Sequence, residues 1–164
     1  MKRLFTVCIG ILTFLLLTGC SPQESNATSF YYCRNPEQYQ YFARDAVIRS
    51  EERDLLGHRD DIKYMVSLYL AGPLEEDLRS PFVKTTRLLS VEETDGSVFI
   101  ELSDLGTALS DSEFTLACAC LTLTCLDFVH CAGVTITSGS RSVTMNADSI
   151  LLFDVLPSQG NTEG

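Results

Sequence analysis

Leu88-Leu89-Ser90-Val91-Glu92-Glu93-Thr94-Asp95-Gly96-Ser97-Val98-Phe99-Ile100-Glu101-Leu102 decides how this chain folds. Leu89 and Val91 alternate with polar residues on one side of the turn, and Val98, Ile100 and Leu102 do so on the other. A period of two places one face of each strand in a core. Asp95-Gly96 supplies two central residues that tolerate positive φ, which a tight hairpin turn requires. A β-hairpin is therefore expected here.

Downstream, Ser110-Asp111-Ser112-Glu113 reads as a capping box, in which a hydroxyl and a carboxylate satisfy first-turn amides reciprocally. It opens a helix over Asp111 to Phe128 whose Leu116, Ala117, Cys120, Leu121, Leu123 and Leu126 leave few polar sides, so that it must be buried on most of them. Val134 and Ile136 then alternate with Thr135 and Thr137. Ser138-Gly139-Ser140-Arg141 turns the chain, and Val143 and Met145 return it as a second hairpin. Ile150 to Phe153 reads as an edge strand or an extended arm.

Upstream, Ile62, Met65, Val66, Tyr69 and Leu70 recur at helical spacing, and Gly72-Pro73 ends that helix. Phe30 to Cys33 is a short strand closed by Asn35-Pro36, and Ala46-Val47-Ile48 a weaker second one. The order strand, helix, hairpin, helix, hairpin predicts an α+β domain, with one antiparallel sheet and two helices packed on one face.

The N-terminus has another character. Lys2 and Arg3 precede an apolar run from Leu4 to Leu17, and Leu17-Thr18-Gly19-Cys20 follows before polar Ser21. This is the layout of an export signal, too short for the roughly 20 residues of a membrane span. The tetrapeptide resembles the bacterial lipobox, which marks Cys20 as the lipid anchor, carrying acyl chains such as palmitate. The expected division is a signal peptide at 1–19, a lipidated Cys20 and flexible tether at 20–29, one domain at 30–155 and a disordered tail at 156–164. The expected location is the extracytoplasmic face of the cell membrane, held there by lipid. The 164 residues hold 12 Lys+Arg against 22 Asp+Glu, a net charge of −10, and loss of Lys2 and Arg3 would take it to −12. Such a surface excludes nucleic acid as an expected partner.

Five cysteines remain after Cys20: Cys33, Cys118, Cys120, Cys125 and Cys131. An odd number leaves at least one thiol unpaired. These cysteines read first as small buried apolar side chains, and Cys33 with Cys131 is the candidate disulfide to test against that reading. None of the spacings is that of a zinc ribbon. No metal site, cofactor or catalytic residue is predicted. His58 beside Asp60 and Asp61 reads as a metal pocket or a solvated helix start, and His130 beside Cys131 as a Cys-His dyad or a chance neighbour. Glu51-Glu52, Glu75-Glu76-Asp77 and Glu92-Glu93 read as solvated surface, and Phe30, Tyr31, Tyr32, Tyr39, Tyr41 and Phe42 as an aromatic cluster, mostly core.

Tyr69-Leu70-Ala71-Gly72-Pro73, Ser80-Pro81-Phe82, Leu88-Leu89-Ser90-Val91, Asp95-Gly96, Val98 to Ser103, and Leu121 to Thr124 before Val134-Thr135-Ile136 together resemble the GerMN domain. That family takes its name from a sporulation and germination lipoprotein. The resemblance spans roughly residues 29 to 153. It implies a fold similar to the ring-building modules of envelope secretion machines, no known catalytic residues, and an assembly or adaptor role with an envelope protein partner. A module binding cell-wall glycan such as peptidoglycan, or a small ligand, is the alternative, and a thiol or metal protein the third reading.

Overall fold

A computed structural model describes residues 27–35 and 47–151. The expected signal peptide, Cys20, most of the expected tether, Tyr39, Tyr41, Phe42 and the expected tail lie outside them. Among the described residues seven strands and three helices run in the order β1 (Ala27–Arg34), β2 (Ile48–Asp54), α1 (Ile62–Leu70), β3 (Leu78–Arg79), β4 (Leu88–Thr94), β5 (Ser97–Leu102), α2 (Asp111–Phe128), β6 (Gly133–Ser138), β7 (Arg141–Met145) and α3 (Ala147–Leu151). The α+β class is borne out.

The sheet is divided in a way that local patterning did not show. β2-β1-β3 form one three-stranded sheet and β4-β5-β6-β7 a four-stranded one. β4 and β5 pair antiparallel around Asp95 (φ 52) and Gly96 (φ 71), the expected hairpin. β5 and β6, in contrast, run parallel, with Val98 opposite Val134 and Ile100 opposite Ile136. Parallel neighbours need a crossover of a dozen or more residues, and α2 is that crossover.

α2 begins as the sequence predicts: Ser110 N–H and Oγ donate to Glu113 Oε2 at 2.8 and 2.7 Å, and Glu113 N–H donates back to Ser110 Oγ at 3.4 Å. The helix packs against β1 as well as β6 and β7, which is why it is apolar on most sides. It also closes an exposed strand edge. β3 covers β1 only at Cys33 and Arg34, so the amides of Ser29 and Tyr31 have no strand opposite them. They donate instead to Asp127 Oδ2 and Thr124 Oγ1 of α2 at 2.8 and 2.9 Å. An edge covered in this way cannot template pairing with another chain.

Three expectations need correction. Ala27, Thr28 and Ser29 belong to β1 rather than to the tether, paired with Asp54, Arg53 and Glu52. The second strand is Ile48–Asp54, shifted into the charged sequence IRSEERD. The segment at Ile150 is helical, and Ile150 is buried with α3 against α2.

Candidate functional site

The acidic runs are not all solvated. Glu51 and Arg53 point from β2 to the side of the sheet that also carries Phe30, and their side chains are 3% and 4% exposed. Arg53 Nε donates to Glu51 Oε1 at 2.6 Å. Its NH1 and NH2 donate to the carbonyls of Leu68 and Gly72 at 3.3 and 2.5 Å, and its guanidinium lies 5.1 Å from the Phe30 ring centroid. The Glu51 carboxylate accepts the amides of Leu74 and Glu75 at 2.9 to 3.1 Å. The ion pair thus grips both sides of the turn in which Gly72 takes φ +96, a conformation that favours glycine. All but one of its hydrogen bonds go to backbone, so the pair is structural.

Other motif residues are used in the same way. Ser103 N–H donates to the Arg87 carbonyl at 2.9 Å, and Ser103 Oγ accepts the Arg87 amide at 3.1 Å. Ser138, 1% exposed, donates its hydroxyl to the Ser103 carbonyl and accepts the Leu105 amide. Ser80 Oγ accepts the Phe82 amide at 3.2 Å. Tyr69 stacks on Tyr32 with centroids 4.7 Å apart and donates its hydroxyl to the Tyr31 carbonyl at 3.0 Å. These polar groups join strands and loops.

The candidate reactive groups are dispersed. His58 Nδ1 lies 3.8 Å from Asp61 Oδ2, each side chain half-exposed, and the imidazole stacks on Tyr64 at 4.0 Å. Asp61 is also the N-cap of α1, accepting the Tyr64 amide at 2.9 Å. His58 therefore sits at a solvated helix start, and among the described residues no group of three or more His, Cys, Asp and Glu is placed to hold a metal. Burial pushes the Cys131 thiol up, away from the thiolate that a Cys-His dyad needs. Cys33, Cys118, Cys120, Cys125 and Cys131 are all free. The expected Cys33–Cys131 disulfide is absent from the structure, which holds Cys33 buried near the end of β1 and Cys131 half-buried in the turn before β6, each as a free thiol. Burial pushes Cys118 up to about 12 and Cys125 higher still. Phe30 and Tyr32 are 0% exposed, so neither ring can stack on a sugar, and Tyr31 is partly buried.

The free surface lies on the outer side of the four-stranded sheet. Val98, Ile100, Leu102, Val134 and Ile136 fill the inner side at 0 to 1% exposure. The alternate residues face outward in two rows fixed by the register: Glu92, Phe99, Thr135, Thr144, and Ser90, Glu101, Thr137, Ser142. Phe99 is 45% exposed. Thr135 and Thr144 share a hydrogen bond at 2.9 Å, and Ser90 Oγ donates to Glu101 Oε2 at 3.1 Å. Cross-strand polar pairs of this kind each add about 0.2–1 kcal/mol to strand pairing. One aromatic ring among hydroxyls and two carboxylates offers hydrogen bonds and a single apolar anchor. The sequence signal was present in the alternation of Thr135, Thr137, Ser142 and Thr144 with Val134, Ile136 and Val143.

Fold and surface define a small α+β domain whose motif residues maintain architecture and whose outer sheet face is open. The family model Germane, described as sporulation and spore germination, matches residues 29–143, and the chain belongs to that family. The resemblance to the GerMN domain is borne out on that match. A candidate lipoprotein from Clostridium perfringens, known from a crystal structure, is 15% identical, with 82% of this chain and 97% of that one covered and a TM-score of 0.47. No curated protein matches. No helix among the described residues is long and apolar enough to cross a membrane.

Proposed function

We propose that this domain is a non-enzymatic interaction module, displayed by a lipid on Cys20 at the outer face of the cell membrane and serving sporulation or germination. The observation that carries the reading is the open sheet face around Phe99, Thr135, Thr137 and Thr144. Its support is threefold: family membership, the lipobox-like Leu17 to Cys20, and the structural use of the Gly72-Pro73 and Leu102-Ser103 motifs. An acidic chain does not adhere to anionic lipid by charge, so an acylated Cys20 would hold it and leave its faces free.

The reading sets two requirements. Metabolic labelling with palmitate marks the wild-type chain and not Cys20→Ala, and an unlabelled wild type contradicts lipid anchoring. A photo-crosslinking residue at position 99, introduced in living cells, gives an adduct with an envelope protein. An adduct with peptidoglycan fragments would favour the glycan-binding alternative, and the absence of any adduct would remove the interaction role.

A further inference from the structure

Phe30 and Phe114 each stand near a carboxylate, and each carries an arginine on its ring. Phe30 is opposite Glu51 in the β1–β2 register, and Arg53 pairs with that carboxylate while its guanidinium lies 5.1 Å from the Phe30 centroid. Phe114, in the first turn of α2, has the guanidinium of Arg141 4.4 Å from its centroid, and Arg141 NH1 lies 3.9 Å from Asp111 Oδ1.

Phe99 repeats this arrangement on the outer face of the four-stranded sheet, without the arginine. It is opposite Glu92 in the β4–β5 register, as Phe30 is opposite Glu51, and Glu101 follows two residues along the same strand. Cross-strand partners hold their Cβ atoms about 5 Å apart and next-but-one residues in a strand lie about 7 Å apart, so two carboxylates flank the ring. Among the described residues neither Glu92 nor Glu101 has an ion pair, and no cation stands over Phe99. No Lys or Arg occupies an outward position of β4 to β7, since Arg141 shares the inner side with Leu102 and Ser138.

We propose that Phe99, Glu92 and Glu101 form the seat for one arginine side chain of a protein partner. The inference rests on the reading of this face as an interaction surface and names the chemistry that fits it. A guanidinium is planar, weakly hydrated and edged with N–H donors, so it lies on an aromatic face while its edge reaches carboxylates beside the ring. A lysine ammonium is a compact, strongly hydrated point charge and gains less from the ring. Thr135 and Thr144 bound the seat on its other side with hydroxyls. A second copy of the chain is the poorer occupant, because this face set against itself brings carboxylates together with no cation between them.

The mature chain from residue 20, carrying Cys20→Ala to keep it free of lipid, is labelled with 15N and 13C and titrated with acetyl-Gly-Arg-Gly-amide. The expected result is a saturable shift of the Phe99 ring signals and of the amides of Glu92, Phe99, Glu101 and Thr135. The shift is lost when citrulline replaces the arginine and weakened when lysine does. Phe99→Leu weakens binding about 2- to 5-fold, the share of a cation–π contact at an exposed site. Glu92→Gln also weakens it, while Glu76→Gln, in a separate exposed acidic run, leaves it unchanged. Shifts scattered over the acidic surface, equal shifts with lysine, or no shift overturn the proposal, as does movement of Phe99 by chitotriose and not by the arginine peptide. The titration needs no partner. An adduct from position 99 with a failed titration leaves the interaction role standing and removes the arginine seat, whereas an arginine-selective shift without an adduct does the reverse.

Discussion

Arg53→Met is expected to cost the folded domain about 3–5 kcal/mol, because it leaves the Glu51 carboxylate buried without its counter-charge. Glu51→Ala should cost a comparable amount, since the guanidinium then loses its counter-charge and keeps the carbonyls of Leu68 and Gly72 and the faces of Phe30 and Tyr32. Removal of both charges does not add the two penalties. The double variant no longer buries a lone ion, and its remaining loss is that of the backbone hydrogen bonds, about 1.5–3 kcal/mol each for bonds to charged groups and less where water can replace them. A double-mutant cycle by urea unfolding should therefore return a strong coupling energy. Simple additivity would show that the two groups do not act as one clamp.

Tyr69→Ala should be equally damaging, at about 3–5 kcal/mol. The ring is fully buried, stacked on Tyr32, 6.4 Å from Phe30 and edge-on to Phe82 at 6.3 Å. It joins α1 to β1 through two bonds, its own hydroxyl to the Tyr31 carbonyl and the Tyr32 hydroxyl to the Tyr69 carbonyl, both at 3.0 Å. Tyr69→Phe separates these contributions: the packing stays, one hydrogen bond goes, and about 1 kcal/mol is expected to be lost. Calorimetric melting of the two variants checks the order. Equal losses would mean that the hydroxyl, not the ring, is what matters.

Local chemistry made much of this fold legible. The capping box and a surface apolar on most sides place α2 at Asp111–Phe128, and Asp95-Gly96 places the first hairpin. Both signals lie within a few residues of one another, so no long-range knowledge is needed to read them. β2 was misplaced for the opposite reason. IRSEERD reads as solvated because its burial depends on Glu51 and Arg53 meeting each other and the backbone of a turn some 20 residues away. The division into two sheets was hidden likewise. Val134 and Ile136 look the same whether their strand pairs parallel or antiparallel, and only the path of α2 decides it. Residues 147–151 carry too few positions for a period to separate a short helix from a strand.

The candidate site was less legible than the fold. His58, His130 and the acidic runs are the residues to weigh by type, and the structure spreads them over separate loops, strand β4 and one buried clamp. The outer face of β4 to β7 carries ordinary residue types whose meaning lies in their being side by side. Phe99 is brought beside Thr135 and Thr144 only once β5, β6 and β7 pair.

Whether this domain works through that face is decided by altering it without disturbing the core behind it. Phe99→Asp and Thr137→Arg change outward side chains, while Val98, Ile100 and Ile136 remain buried beneath them. With the partner fixed by crosslinking, co-purification from membranes is measured for these two variants and for Lys63→Glu on the exposed side of α1. The partner should be lost from both sheet variants at unchanged melting temperature and retained by the α1 variant. Full retention by Phe99→Asp and Thr137→Arg, with loss from Lys63→Glu, would contradict the account.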